Sequence, residues 1–367
     1  MAITIFSLIG LLILGFIILW AYSPGRLPKL KDENGRAIPG SISEKVWIEV
    51  NGEKHGMFIR GENPSNPVML YLHGGPGTPL LPAIAYLEKS ERLEKYFTVC
   101  YWDQRGSGMS YSSESYPALL TLEQMVEDTH VVTQYIKDRF AQDKIYLIGH
   151  SWGSYLGVKT IEKYPQDYSA YFGIGQLSYQ LQSERLMYDY MLDRARRTGD
   201  TKAVTNLEKH DPYSVGFPQK DYNLQVRTPL MNSYGIGMIR DTPTLGQLAK
   251  ILLTFKGYTV SEKIKYVRGM NQSIEVLFDH LTNDNLFETS PRFEIPFYVF
   301  QGIYDYQVSY ALAKKYADAI EAPRKGFFTF DNSAHSPNME EPEKFISLVK
   351  ALHAEIITKF GDNNNSR

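Results

Sequence analysis

The chain has 367 residues, 43% of them hydrophobic, with 39 Lys and Arg against 41 Asp and Glu. That is enough apolar mass for one large domain or a core carrying an insertion, and it excludes a disordered chain. A net charge of -2 supplies no field to gather nucleic acid, and the single cysteine, Cys100, excludes an intramolecular disulfide and a cysteine-based zinc cluster.

Residues 2–25 carry no charged side chain, and Ile3 to Tyr22 is apolar apart from Thr4 and Ser7. Twenty helical residues span about 30 Å, the thickness of the hydrocarbon layer, so the segment 3–22 is predicted to be a single transmembrane anchor. A cleaved signal peptide competes with this reading, but no Lys or Arg precedes the run, and Pro24 makes a poor start for a mature chain. A buried core helix is disfavoured because nothing polar breaks the stretch. Arg26, Lys29, Lys31 and Arg36 all follow it, which by the positive-inside rule would leave the domain in the cytoplasm. An exported enzyme would need that bias overridden, so the side of the membrane is open.

Residues 23–44, with Pro24, Pro28, Pro39, Gly25, Gly35 and Gly40 among charges, read as a linker. Lys45 to Val50 and Lys54 to Arg60 flank Asn51-Gly52, a pair that tolerates the positive φ of a tight hairpin turn. Short apolar runs then recur at Val68–Leu72, Phe97–Trp102, Ile145–Ile148, Tyr171–Ile174, Phe297–Phe300 and Phe327–Phe330. Their lack of polar alternation suits strands buried on both faces, so a mostly parallel α/β sheet begun by an antiparallel hairpin is expected over 45–176 and 292–361. Some 120 residues separate the fourth of these runs from the fifth, far more than a crossover needs. Apolar positions at helical spacing in Ser183–Arg197, Leu245–Phe255 and Val260–Phe278 make residues 177–291 a helical cap over the sheet's carboxyl edge. Residues 362–367 form a polar tail.

Four loops carry the chemistry. Gly149-His150-Ser151-Trp152-Gly153 lies between a strand and a helical stretch, the setting of a nucleophile elbow that projects a serine above the sheet. A serine hydroxyl needs a base, and the base an orienting carboxylate. In hydrolases built on such a sheet the chain order is Ser, acid, His, with the acid just after a late strand. Asp305 occupies that place after Phe297–Phe300, and His335 follows the next strand. Asp331 is the rival acid, though its position suits a turn-former, and His353 falls within the last helix as a packing or surface residue. The oxyanion donors are expected at the amide of Trp152 and in His73-Gly74-Gly75-Pro76-Gly77 after the third strand, at Gly75 with Gly74 beside it.

These stretches, with Trp102-Asp103-Gln104-Arg105-Gly106-Ser107-Gly108, resemble the signatures of the proline iminopeptidase branch of the α/β-hydrolases, a serine peptidase family, over roughly 45–176 and 292–360. The resemblance implies an α/β-hydrolase fold with Ser151, Asp305 and His335 as triad, Gly75 and Trp152 as oxyanion donors, and Asp103 and Arg105 bracing the loop below the site. Family members resemble one another in offering acids to the substrate's free amine, often a glutamate beside the catalytic aspartate. Here Tyr306 stands at that place, and Glu184 and Glu275 of the cap are the substitutes to consider. His150 stands where the peptidases more typically carry glycine.

The reading is therefore a membrane-anchored serine hydrolase acting as an aminopeptidase on short peptides through an acyl-enzyme, with no metal or organic cofactor. An esterase or amidase on a hydrophobic small molecule is the alternative, and a non-catalytic membrane-tethered binding module the third.

Overall fold

The computed structural model describes residues 10, 15–87, 91–114, 117–214, 217, 222–241 and 245–360. β1 (Ile42–Val50) and β2 (Glu53–Gly61) form the expected hairpin, turning through Asn51 and Gly52 at φ 47° and 80°. β1 starts at Ile42, so the end of the predicted linker already belongs to the sheet. β3 (Val68–Leu72), β4 (Thr98–Trp102), β5 (Ile145–His150), β6 (Tyr168–Ile174), β7 (Phe297–Gly302) and β8 (Lys325–Phe330) complete an eight-stranded sheet in the order β1-β2-β4-β3-β5-β6-β7-β8. Pairing is parallel from β4 to β8 and antiparallel at β1–β2 and β2–β4.

Strand period two divides the core. Val68, Leu70 and Leu72 point to one face, Met69 and Tyr71 to the other, and all are buried. Against the first face pack α2 (Leu122–Phe140), α3 (Trp152–Lys163) and α10 (Tyr310–Ala319), through Val132, Ile136, Leu156 and Tyr316. Against the second pack α1 (Leu81–Leu87) and α12 (Pro342–Phe360), which follows the short α11 (Pro337–Glu340). Two covered faces explain why the parallel strands lack polar alternation.

Between β6 and β7 lie α4 (Gln180–Thr198), α5 (Thr201–Glu208), a π-helical turn (Asn223–Arg227), α6 (Thr228–Tyr234), α7 (Leu245–Thr254), α8 (Val260–Asn283) and α9 (Leu286–Thr289). The three predicted cap helices are α4, α7 and α8. α4 stops at Gly199 in the left-handed region, and α8 opens on a reciprocal capping box between Thr259 and Glu262. The segments α5, π turn and α6 are too short to show sustained helical periodicity, and they escaped the sequence reading. With α4 they enclose a core of their own built on Met187, Met191, Leu207, Val226 and Met231.

The proposed span 3–22 lies largely outside the described residues, as does the tail 362–367. Among the described residues no helix is long and apolar enough to cross a membrane. Residues 15–21 are helical, and Phe16 and Trp20 on them are 61% and 68% exposed.

Candidate active site

β3 pairs with β4 on one side and β5 on the other, so the chain leaves β3 and β5 in opposite directions across the sheet. The crevice at such a switch point is where an open α/β sheet gathers ligand-facing loops. The loop after β3 brings His73 to Gly77, and β5 ends in the elbow.

At the elbow Ser151 has φ 57° and ψ -120°, a conformation costly for a residue with a Cβ. Close packing holds it there. A Cβ on Gly153 would lie 2.1 Å from the Leu72 carbonyl oxygen, and one on Gly149 would lie 2.3 Å from that of Gly153. The Ser151 amide donates to the Ile174 carbonyl at 2.9 Å, tying the elbow to the end of β6. Ser151 is 7% exposed, with the loop after β3 packed against it at Gly74. The amide of Trp152 opens α3, where no helical carbonyl lies one turn behind it.

His335 Nδ1 donates to Asp305 Oδ2 at 2.8 Å, and both residues are buried. Gln301 Nε2 donates to the same oxygen at 2.7 Å and the Val308 amide to Oδ1 at 2.9 Å, so three donors fix the carboxylate. With Nδ1–H committed, the lone pair of His335 sits on Nε2, which has no hydrogen-bond partner among the described residues. The ring lies against Gly175, next to the carbonyl that receives the Ser151 amide. A Cβ there would stand 2.6 Å from His335 Cε1, and φ is +54°. No hydrogen bond joins the Ser151 hydroxyl to His335 Nε2.

The rivals lie elsewhere. Asp331 is exposed, 3.6 Å from Lys344, and His353 accepts or donates to the Tyr146 hydroxyl at 2.7 Å within the packing of α12. His150 Nε2 is 3.1 Å from the His335 carbonyl oxygen, and burial, then the neighbouring His335, lowers its pKa to about 3. It is a neutral brace for the His335 loop.

The loop after β3 is held just as tightly. His73 Nδ1 donates to the Gly74 carbonyl at 2.9 Å, while Nε2 accepts from the Gln104 amide at 3.2 Å. Burial lowers the His73 pKa to about 4. Gln104 donates back to the His73 carbonyl at 3.1 Å and accepts from the Trp152 indole at 2.9 Å. One glutamine therefore links both loops from which oxyanion donors were expected. Gly74 faces Ser151, since a Cβ there would approach Ser151 Cβ to 3.1 Å, and Gly75 has φ +119°. Gln104 sits within a motif singled out in the sequence, but its side-chain role was not legible there.

Asp103 and Arg105, expected to brace the loop below the site, each bond to other parts of the structure. Asp103 Oδ2 accepts from the Met109 amide and the Tyr258 hydroxyl, each at 2.8 Å, and burial raises its pKa to about 7. Arg105 donates to Asp128 on α2 and lies 2.8 Å from Glu53. Two charges separated by a single residue in the chain thus brace different layers, one the cap and one α2.

Of the cap acids, Glu184 is buried and takes Arg227 in a bidentate pair at 2.8 and 2.9 Å, with Gln180 Nε2 at 2.7 Å. It sits on neither a solvated face nor a free subsite. Glu275 is exposed on the outer side of α8, opposite Ser273, which packs on Gly77. Tyr306 stacks on Tyr190 of α4, ring centroids 4.2 Å apart. A further cap contact escaped notice in the sequence: Glu340 accepts from the amides of Arg240 and Ala334 at 2.7 and 2.8 Å, clasping a cap loop to the His335 loop. Among the described residues no His, Cys, Asp or Glu cluster could hold a metal.

Residues 67–342 match the family described as alpha/beta hydrolase fold. A probable aminopeptidase of Bacillus subtilis, YbaC, is 32% identical over 84% of this chain and 96% of its own length. A proline iminopeptidase of Lactobacillus acidophilus is 24% identical over 81% of this chain and 93% of its own. The crystal structure of the Mycobacterium smegmatis proline iminopeptidase superposes with a TM-score of 0.60 over 86% of this chain and 99% of that one, at 18% identity.

Proposed function

The chain belongs to the proline iminopeptidase-like α/β-hydrolases and is a hydrolase, and from that premise we propose that it is a serine aminopeptidase acting on short peptides. The observation that carries the reading is the Asp305–His335 hydrogen bond at 2.8 Å, which leaves a partnerless Nε2 beside the elbow of Ser151.

In the proposed cycle, His335 Nε2 takes the hydroxyl proton as Ser151 Oγ attacks the scissile carbonyl. Asp305 holds the imidazole in the required tautomer and stabilises the imidazolium. The amides of Trp152 and Gly75, with Gly74 against the nucleophile, receive the oxyanion. His335 returns the proton to the leaving amine, and water, activated by the same base, releases the acyl group. The exposed apolar helix ending at Ala21 supports a membrane anchor formed by residues 3–22, because an unburied apolar surface of that kind requires cover.

One observation favours hydrolysis of a neutral ester or amide instead: the Glu184 carboxylate is committed to Arg227, and the residue beside Asp305 is Tyr306, which carries no carboxylate to pair with an amine. Proline arylamide with free and with blocked amine, assayed beside a short acyl ester, separates the two readings. A free-amine preference supports the peptidase, and equal turnover of the blocked substrate overturns it. Ser151→Ala is expected to lower kcat by at least about 10^4-fold with the fold retained, and to abolish labelling by a fluorophosphonate. Undiminished turnover would remove Ser151 from the mechanism.

A further inference from the structure

The surface around the exit of the N-terminal segment has an unusual composition. Lys263, buried on α8, donates to the Tyr22 carbonyl at 3.0 Å, to Ser23 Oγ at 2.9 Å and to the Leu253 carbonyl at 2.6 Å. One ammonium thus caps the carboxyl ends of two helices, the N-terminal one and α7, where the helix dipole favours a cation. The Arg26 amide donates to the Lys256 carbonyl at 3.1 Å, and a 350 Å³ groove lined by Leu27, Pro28, Tyr86, Ile251 and Phe255 joins linker, α1 and α7. The apolar segment therefore leaves the domain at the junction of α1, α7 and α8.

Those three helices expose apolar side chains around that point: Tyr86 and Leu87 on α1, Leu248 and Leu253 on α7, Ile264 and Val267 on α8. On α8 the exposed positions lie opposite Gly269 and Ser273, which pack on the Gly106 and Gly77 loops. Besides the buried Lys263, residues 245–271 contain four basic residues, Lys250, Lys256, Lys265 and Arg268, against the single acid Glu262, which is bonded to Lys45. Exposed large apolar residues interleaved with lysines, continuous with an apolar segment of membrane length, match the headgroup layer of a bilayer with anionic lipid.

We propose that this face of α1, α7 and the start of α8 docks on the surface of an anionic lipid bilayer. The cap then lies in the headgroup region rather than projecting from the membrane on the linker. The proposal rests on the anchor reading of residues 3–22 and goes beyond it, since an anchor alone leaves the domain's orientation free. Docking would also place the bilayer behind the helix whose inner face leans on the Gly77 loop.

Site-directed fluorescence on the full chain tests it. Cys100 is the sole cysteine and is buried, so single exposed cysteines can be labelled selectively. The probe is placed at Phe16→Cys for the anchor, at Leu248→Cys and Val267→Cys for the docking face, and at Lys314→Cys on α10, against the far strands β7 and β8, as control. The protein is reconstituted in vesicles of phosphatidylcholine and phosphatidylglycerol carrying a nitroxide-labelled lipid. Strong quenching at 16, 248 and 267 but not at 314, falling at 248 and 267 when phosphatidylglycerol is omitted, is the expected result. Quenching at 16 alone overturns docking while sparing the anchor. Quenching at 248 and 267 without 16 removes the anchor, and equal quenching at 314 or none at any site overturns docking. Quenching at 248 and 267 that is unchanged without phosphatidylglycerol overturns the anionic-lipid requirement.

Discussion

Gly175 decides how closely the His335 ring packs against the end of β6. A methyl group there would meet the His335 ring at 2.6 to 2.8 Å and would sit on a backbone with φ +54°. Gly175→Ala is expected to displace the ring and lower kcat at least about tenfold, with a cost to stability of about 1–2 kcal/mol from the left-handed backbone. Steady-state kinetics beside a denaturant titration check both. Asp305→Asn preserves shape but loses the charge that orients Nδ1–H, and a fall of about 10^4-fold in kcat is expected with KM little changed. Ser151, Asp305 and His335 could be nominated as the proposed triad from residue type and chain order, because chemistry restricts which side chains can serve. Gly175 and Gln301 could not be, because a glycine after a strand and a glutamine within one look ordinary until a ring or a carboxylate lies against them.

Elements are joined by a few buried polar contacts. Gln104 links the loop after β3 to the elbow, so Gln104→Ala removes bonds to both His73 and the Trp152 indole. The proposed oxyanion donors, loosened in this way, would act only in the transition state. A decrease in kcat of about tenfold or more with unchanged KM is therefore the expected signature. The Glu184–Arg227 pair joins α4 to the π turn inside the cap. Removing one partner leaves a buried charge, so Glu184→Met or Arg227→Met alone is expected to cost about 3–5 kcal/mol by urea unfolding, and the double replacement much less. The long strands and the helices α4, α7 and α8 were legible from periodicity. The short α5 and α6 were not, because two turns of helix hold too few apolar positions to define a face.

Across the whole molecule, cap and core are tied where Tyr258 donates to Asp103 and where Glu340 clasps the Arg240 and Ala334 amides. Burial raises the Asp103 pKa from 3.8 to about 7, so the folded protein holds that proton more tightly than the unfolded chain. Its contribution is then fully present below about pH 4 and is lost as pH rises through 7. The difference in unfolding free energy between wild type and Asp103→Asn should change across that window and level off above it. Parallel curves from pH 4 to 8 would exclude Asp103 as the source.

The sequence by itself determined the mostly parallel α/β architecture and named the candidates for nucleophile, acid and base, since strand burial and acyl-transfer chemistry both restrict residue type locally. Only the tertiary structure decided what each charged side chain faces. It gave Asp103 and Arg105 separate partners, closed Glu184 onto Arg227, turned Glu275 outward and gathered α1, α7 and α8 around the exit of the apolar segment. Those outcomes depend on which distant elements meet, and neither periodicity nor motif spacing carries that information across the more than 40 residues between Glu184 and Arg227.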